Sequence, residues 1–346
     1  MILSPDRANA IATARTEKPK MRERDLADAL GIREAEILVA DLGHGVRRIV
    51  ADPAQLLPRV AALGDVMALT RNDWCVHERR GTYTGFHAGG HASMVLGPDI
   101  DLRIFPKHWV HGFAVERTGK DGTRRSLQVF DAAGDAVHKI HLGPESDIAA
   151  FDALVADLAL PADAPFDIAS RAIPETVRVN DAKLADLRDN WAAMTDTHQF
   201  LAMTSRLKFD RLGANRSIGA PWATRLPVTA VEYALHQAGA QGLQIMVFVG
   251  NRGCIQIHSG TVQRLEPMGP WFNVLDPRFN LHLRADKVAE VWLVRKPTKR
   301  GDAISVEAFD KDGQLILQIF GKRAEAATDT RGWDALAEAL AAEVVA

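Results

Sequence analysis

The chain has 346 residues, 47% of them hydrophobic and 25% charged, and a formal net charge of −2. That length allows two domains of ordinary size, and so even a charge balance gives no general attraction to nucleic acid or an anionic membrane. No stretch approaches the ~18 uninterrupted apolar residues of a membrane span, and the opening MILSPDRANAIATARTEKPK lacks the apolar run of a signal peptide. The expectation is a cytoplasmic protein, not integral to a membrane.

Residues 22–40 carry Leu26, Leu30, Ile32, Ile37 and Leu38 at helical spacing, predicting two short helices broken at Gly31. The segments VMALT, GTYTGFH, SMVL, DLRIF, FAVERTG, SLQVFD and AVHKIHL follow. They are short, contain β-branched and aromatic residues, and are separated by the turn signals GPD, GKDG and DAAGD, which predicts an antiparallel meander. In residues 147–158, Ile148, Phe151, Leu154, Val155 and Leu158 share one helical face, so a closing helix is expected. The Pro-interrupted LPADAPFDIASRAIPETVRVN then reads as a linker. Residues 184–201 set Leu184, Leu187, Trp191, Met194, His198 and Leu201 at three- and four-residue steps, an apolar stripe with a histidine in it. The strand order returns as IMVFV, CIQIH, FNVL, NLHLR, VWLVRKP, ISVEAFD and LILQIFG, and WDALAEALAAEVV predicts a second closing helix.

That return is a sequence repeat. Residues 66–140 lie over 245–319 without a gap, matching Met67 to Met246, Asn72 to Asn251, Cys75 to Cys254, Gly81 to Gly260, Ser126 to Ser305 and Phe130-Asp131 to Phe309-Asp310. There are 18 identities in those 75 positions, where ordinary composition gives about 5, so the chain is two copies of one folding unit. The expected fold is α+β, a tandem structural repeat in which each half is a large antiparallel β-sheet with flanking helices. The N-terminal repeat is placed at 1–160, the linker at 161–182 and the C-terminal repeat at 183–346. Cys75 and Cys254 read as two buried thiols rather than a disulfide.

A repeat also tests function, because a residue present in one copy alone is not demanded by the shared fold. His198 is such a residue: 198 − 179 = 19, and position 19 is proline. Periodicity alone favours a core histidine over a metal or cofactor ligand, and the missing counterpart moves the balance towards a ligand. Other histidines are weaker candidates. His87 and His91 are separated by Ala-Gly-Gly, which opposes a helical metal pair, and His138 and His141 point to opposite faces of a predicted strand. Neither a dinucleotide fingerprint nor a phosphate-binding loop is present in the sequence.

Six long strings carry a resemblance. They are VMALTRNDWCVHERRGTY at 66–83, LGPDIDLRIFPKHW at 96–109, VFDAAGDAVHKIHL at 129–142, NWAAMTDTHQF at 190–200, VWLVRKPT at 291–298 and LQIFGKR at 317–323. Over nearly its whole length the chain resembles the cytoplasmic haem-utilisation proteins, or haemin-degrading factors, of bacterial haem-uptake systems. The resemblance implies two structural repeats with haem b in a cleft between parts of the two halves. It makes His198 the proximal iron ligand, and an apolar wall around a neutral imidazole would suit that role. It brings Arg103 to the opposite face of haem. A guanidinium has no lone pair for iron, so Arg103 would act by hydrogen bonding, as the distal catalytic residue if the protein is an enzyme. Lys296, Arg211 and Arg323 match basic positions at the haem edge, where cations pair with propionates. Phe105 and Phe320 would contact the macrocycle and Gln318 would hydrogen-bond near it. Relatives carry tyrosine near position 317 or 320, whereas this chain has only Tyr83 and Tyr233. Two functions are implied. One is a carrier that receives haem from an inner-membrane importer and passes it to a haem oxygenase. The other is a haem oxygenase-like enzyme that opens the porphyrin to a biliverdin-like product with an external reductant.

Overall fold

The computed structural model describes residues 3–120, 122–161, 163–174, 176–322 and 331–345. The chain runs α1 (Pro5–Glu17), α2 (Glu23–Leu30), α3 (Glu34–Val39), β1 (Val46–Ile49), α4 (Pro53–Val60), β2 (Val66–Arg71), β3 (Cys75–Gly81), β4 (Phe86–His87), β5 (Ser93–Leu96), β6 (Asp101–Ile104), β7 (His111–Gly119), β8 (Gly122–Phe130), β9 (Ala136–Leu142) and α5 (Ile148–Leu158). The order then recurs as α6 (Leu184–Ala192), α7 (Gln199–Leu207), α8 (Arg211–Ile218), β10 (Ala223–Leu226), α9 (Ala230–Ala240), β11 (Ile245–Gly250), β12 (Cys254–Gly260), β13 (Leu265–Met268), β14 (Trp271–Asp276), β15 (Phe279–Arg284), β16 (Glu290–Lys296), β17 (Ala303–Phe309), β18 (Leu315–Gly321) and α10 (Arg331–Val345). The repeat therefore extends well beyond the stretch in which identities are visible. No helix among the described residues is long and apolar enough to cross a membrane.

Two compact units result. The first comprises Met1–Arg71, His77–Ala172 and Gly250–Gln256, and the second Asn72–Val76, Ile173–Val249 and Ile257–Ala346. Each unit thus includes a short segment lying in the other repeat's stretch of sequence, and the two segments are equivalent under the 179-residue shift.

In the first unit β1, β7, β8, β9 and β2 form an antiparallel run in that order. Strand alternation sends Ala68, Leu127, Val129 and Ile140 into one core with Leu56, Leu57 and Val60 of α4 and Phe151, Leu154, Val155 and Leu158 of α5. The other sheet face sets Phe113, Val115 and Phe130 against Ala35 and Leu38 of α3. In the second unit β10, β16, β17, β18 and β11 repeat the order. One face buries Val247, Leu293, Val306 and Ile319 under Val231, Ala234 and Leu235 of α9 and Trp333, Leu336 and Leu340 of α10. The other carries Trp292, Val294 and Phe309 beneath Trp191, Phe200 and Leu212 of α6, α7 and α8.

Several expectations hold. Helices α2 and α3 are broken at Gly31, which caps α2 in the left-handed conformation at φ 65°. Asp147 caps α5 through the Ala150 N–H. Both cysteines are free and buried, Cys254 in the first unit and Cys75 in the second. Others need correction. The stripe over 184–201 is not one helix, because α6 stops at Ala192 and α7 begins at Gln199. The 179-residue shift also does not reach the helices. Lys208 ends α7 at φ 63° as Gly31 ends α2, and 208 − 31 = 177. The offset is still 177 from β1 to β10 and from α4 to α9, and two residues are gained before β2 and β11, so the counterpart of His198 is Met21 rather than Pro19, and still not a histidine.

Candidate functional site

The α6–α7 connection is built by side chains that replace helical backbone bonds. The Gln199 side-chain oxygen accepts from the N–H groups of Thr195 (2.9 Å) and Asp196 (3.3 Å). Asp196 Oδ1 in turn accepts from the His198 N–H at 2.8 Å. Short polar side chains offering such local acceptors end a helix that apolar spacing would otherwise continue. His198 is thereby placed at the N-cap of α7, its side chain 91% exposed, rather than inside an apolar stripe.

Its ring is nonetheless oriented. His198 Nδ1 lies 2.7 Å from Asp196 Oδ1. The backbone and side-chain hydrogen bonds from His198 hold the Asp196 carboxyl below its ordinary value, so it is an acceptor and Nδ1 carries the proton. The lone pair then sits on Nε2, facing solvent. A carboxylate behind one imidazole nitrogen is the arrangement that fixes the tautomer of a metal-binding histidine. Leu201, on the following turn, is a large apolar side chain that is 62% exposed.

Three of the residues expected around haem converge on a single acid that the strings had not singled out. Glu307, on β17, is fully buried. Its Oε1 accepts from Lys296 Nζ (2.7 Å), Gln318 Nε2 (2.7 Å), Ser305 Oγ (3.1 Å) and Arg211 NH1 (3.2 Å). Its Oε2 accepts from Asn215 Nδ2 at 3.1 Å. Burial alone would raise this carboxyl, but the charges of Lys296 and Arg211, with the hydrogen bonds, outweigh it and hold it at about 2. Lys296 Nζ and Arg211 Cζ lie 4.6 Å and 5.0 Å from the centre of the Phe200 ring. Phe200 sits two residues after His198 and meets Trp191 edge-on at 5.2 Å. The acid, its cations and the start of α7 therefore form one packed assembly in the second unit. Lys296 is buried, Arg211 is partly exposed and Gln318 is half-buried. Phe320, half-buried on the same face of β18 as Gln318, packs against Phe248 with ring centres 5.2 Å apart.

Arg103 and Phe105 belong to the first unit. Arg103, on β6, folds back along its own strand to pair with Asp101 and to donate to the Leu102 carbonyl at 3.2 Å. Burial pushes the Asp101 carboxyl up, offset in part by Arg103. Phe105 is half-buried, and its N–H donates to the Gly253 carbonyl at 3.0 Å. Arg323 lies outside the described residues. His87 and His91 are exposed, with no helix between them, and no cluster of potential metal ligands occurs among the described residues.

Sequence reasoning missed Asp196, Asp101 and Glu307. The first two were within reach, each two residues before the functional candidate and inside the quoted strings. The signal for Glu307 was the one acid within AISVEAF, a strand buried along its whole length.

Fold and site define a tandem-repeat α+β protein with an oriented, open imidazole beside a buried cation cluster. The chain belongs to the haemin-degrading HemS/ChuX family: the model of the haemin-degrading HemS.ChuX domain matches residues 31–158 and again 208–340. It is 37% identical to the hemin transport protein HmuS of Yersinia pestis, over 92% of this chain and 93% of that protein. It resembles the structure of holo-PhuS, a heme-binding protein from Pseudomonas aeruginosa, with a TM-score of 0.93 and 42% identity over 98% of this chain and 99% of that one. It also resembles the heme degrading enzyme ChuS of Escherichia coli O157:H7, with a TM-score of 0.89 and 33% identity over 97% of this chain and 98% of that one.

Proposed function

We propose that the protein binds one haem b through His198 and acts in the cytoplasm, receiving imported haem and passing it on for iron release. The observation that carries this reading is the exposed imidazole of His198, held by Asp196 so that Nε2 is free to bond to a metal. Haem also needs partners for its carboxylates, and Arg211 and Gln318 stand at the accessible side of a cluster with surplus positive charge. Phe320 offers an aromatic surface on that sheet face, and Arg103 and Phe105 are the further residues we propose for haem. The names of HmuS and PhuS, as transport and heme-binding proteins, agree with a carrier. An inner-membrane importer as donor and a haem oxygenase as acceptor complete that role.

The test is spectroscopic. Purified apoprotein takes up about one haem per chain, and His198→Ala shifts the Soret band; an unchanged spectrum in the variant removes the assignment. A second reading is supported by ChuS, described as a heme degrading enzyme. In that reading Arg103 directs attack on the ring and the reductant is external. Incubating the complex with ascorbate and catalase separates the two, catalase being needed because free peroxide destroys haem unaided. A biliverdin-like product that depends on Arg103 identifies the enzyme, and intact haem moving to an added oxygenase identifies the carrier.

A further inference from the structure

We infer that Glu307 is the specificity-determining counter-charge of the haem site, limiting how many ligand carboxylates the site neutralises and so keeping the ligand exchangeable. This rests on the haem-binding reading above.

The fold does not require an acid here. The counterpart of Glu307 in the first unit is Gln128 (307 − 179 = 128), equally buried and equally placed in its strand. A buried carboxylate is costly unless it is paired, and this one gathers five donors, two of them cationic. The charges within the cluster are Lys296 +1, Arg211 +1 and Glu307 −1, a net of +1. Haem presents two carboxylates, so these three charged groups, those gathered at Glu307 among the described residues, balance only one between them.

The geometry also ranks the two cations. Lys296 is held to Glu307 at 2.7 Å with its side chain 3% exposed, whereas Arg211 makes the longer contact, 3.2 Å, with its side chain 21% exposed. An arriving carboxylate meets Arg211 and competes with Glu307 for it, while Lys296 stays with the acid. Glu307 therefore holds Arg211 and Gln318 in place before the ligand arrives and opposes the ligand's charge afterwards.

The experiment measures release from the full-length protein to apomyoglobin, comparing haem with haem dimethyl ester, which lacks the carboxylates. Glu307→Gln raises the cluster to +2 and slows haem release by about tenfold, with ester release changed by less than about twofold. Lys296→Gln lowers the net charge to zero and speeds haem release, and adding Glu307→Gln in that background returns it towards the wild-type rate. The second background carries the test if Glu307→Gln alone does not fold. The inference is overturned if Glu307→Gln fails to slow haem release in a background that folds, or if it slows the ester as much as haem. The haem reading fails separately, through an unchanged Soret band in His198→Ala, whatever Glu307 does.

Discussion

His138 shows how far one residue can depart from its repeat counterpart. In the first unit Tyr83 Oη lies 2.6 Å from His138 Nε2, and Thr70 Oγ1 lies 2.8 Å from His138 Nδ1. Thr70 donates on to Cys254 Sγ at 3.6 Å, so Nδ1 carries the imidazole proton and Nε2 accepts from Tyr83. Trp109 stacks on the ring with centres 5.8 Å apart. The counterparts of Thr70, Tyr83, Trp109 and His138 are Val249, Val262, Val288 and Leu317, all aliphatic, so the fold tolerates either set. Burial, with a smaller contribution from the charge of His141, lowers His138 from 6.5 to about 3. The unfolded chain therefore takes up a proton near pH 6.5 that the folded chain refuses until about pH 3. The associated stability is fully present above the first value and is lost as pH falls towards the second, reaching about 2 kcal/mol at pH 5. His138→Leu leaves Tyr83 and Thr70 without their partner and costs about 1–3 kcal/mol at pH 7.5. Between pH 7 and 5, however, the variant loses less stability than the wild type. Urea unfolding at the two pH values checks this, and equal losses would reject a neutral buried imidazole. His141, lowered to about 4 by burial, keeps some slope in the variant.

At the scale of elements, legibility followed the strength of periodic signals. The strands were readable because they alternate, and their neighbours pair as a meander would. Helix α1 was missed because Ile11 is the only residue it buries, and α4 because Pro58 sits inside it. The α6–α7 break was misread for a different reason. Apolar spacing survives across a turn that Asp196 and Gln199 close with their own side chains, so period alone cannot see the interruption. The candidate site was legible as residue names and not as an environment. His198 was found, but its setting was expected to be apolar and is open. Lys296 and Arg211 were placed at the haem edge and Gln318 near the macrocycle, but the acid that gathers them lies on another strand and no local pattern links them. The break itself is testable. Asp196→Ala frees the imidazole to rotate and removes the acceptor that fixes its tautomer, and should weaken haem affinity by about 10- to 100-fold. The folded state should lose only about 1 kcal/mol, since an exposed turn hydrogen bond is removed. An equilibrium haem titration beside a thermal melt separates the two effects, and undiminished affinity would show that Asp196 does not orient the ligand.

At the scale of the whole chain, the notable property is reciprocal exchange. Gly250–Gln256 complete the first unit, where Asn251 donates to the carbonyls of Arg71 (2.9 Å) and Val137 (2.8 Å) and Gln256 donates to that of Ala68 (3.0 Å). Asn72–Val76 complete the second, where Asn72 donates to the Ile316 carbonyl (2.7 Å) and Trp74 to Asp310 (3.0 Å). Each segment is covalently continuous with strands of the opposite unit, so unfolding either unit withdraws part of the other's interior. Two independent transitions are therefore not available, and calorimetry should show one, with the calorimetric and van't Hoff enthalpies equal. Gly253 gives the sharper form of this prediction. A Cβ there would lie 2.5 Å from Val137 Cγ1 and 3.2 Å from His108 Cβ, so Gly253→Ala overpacks the first unit although it lies in the second repeat of the sequence. That strain should cost about 1–3 kcal/mol and lower the single transition as a whole. A variant whose melt splits in two, with one component unmoved, would show that the exchanged segments do not couple the units.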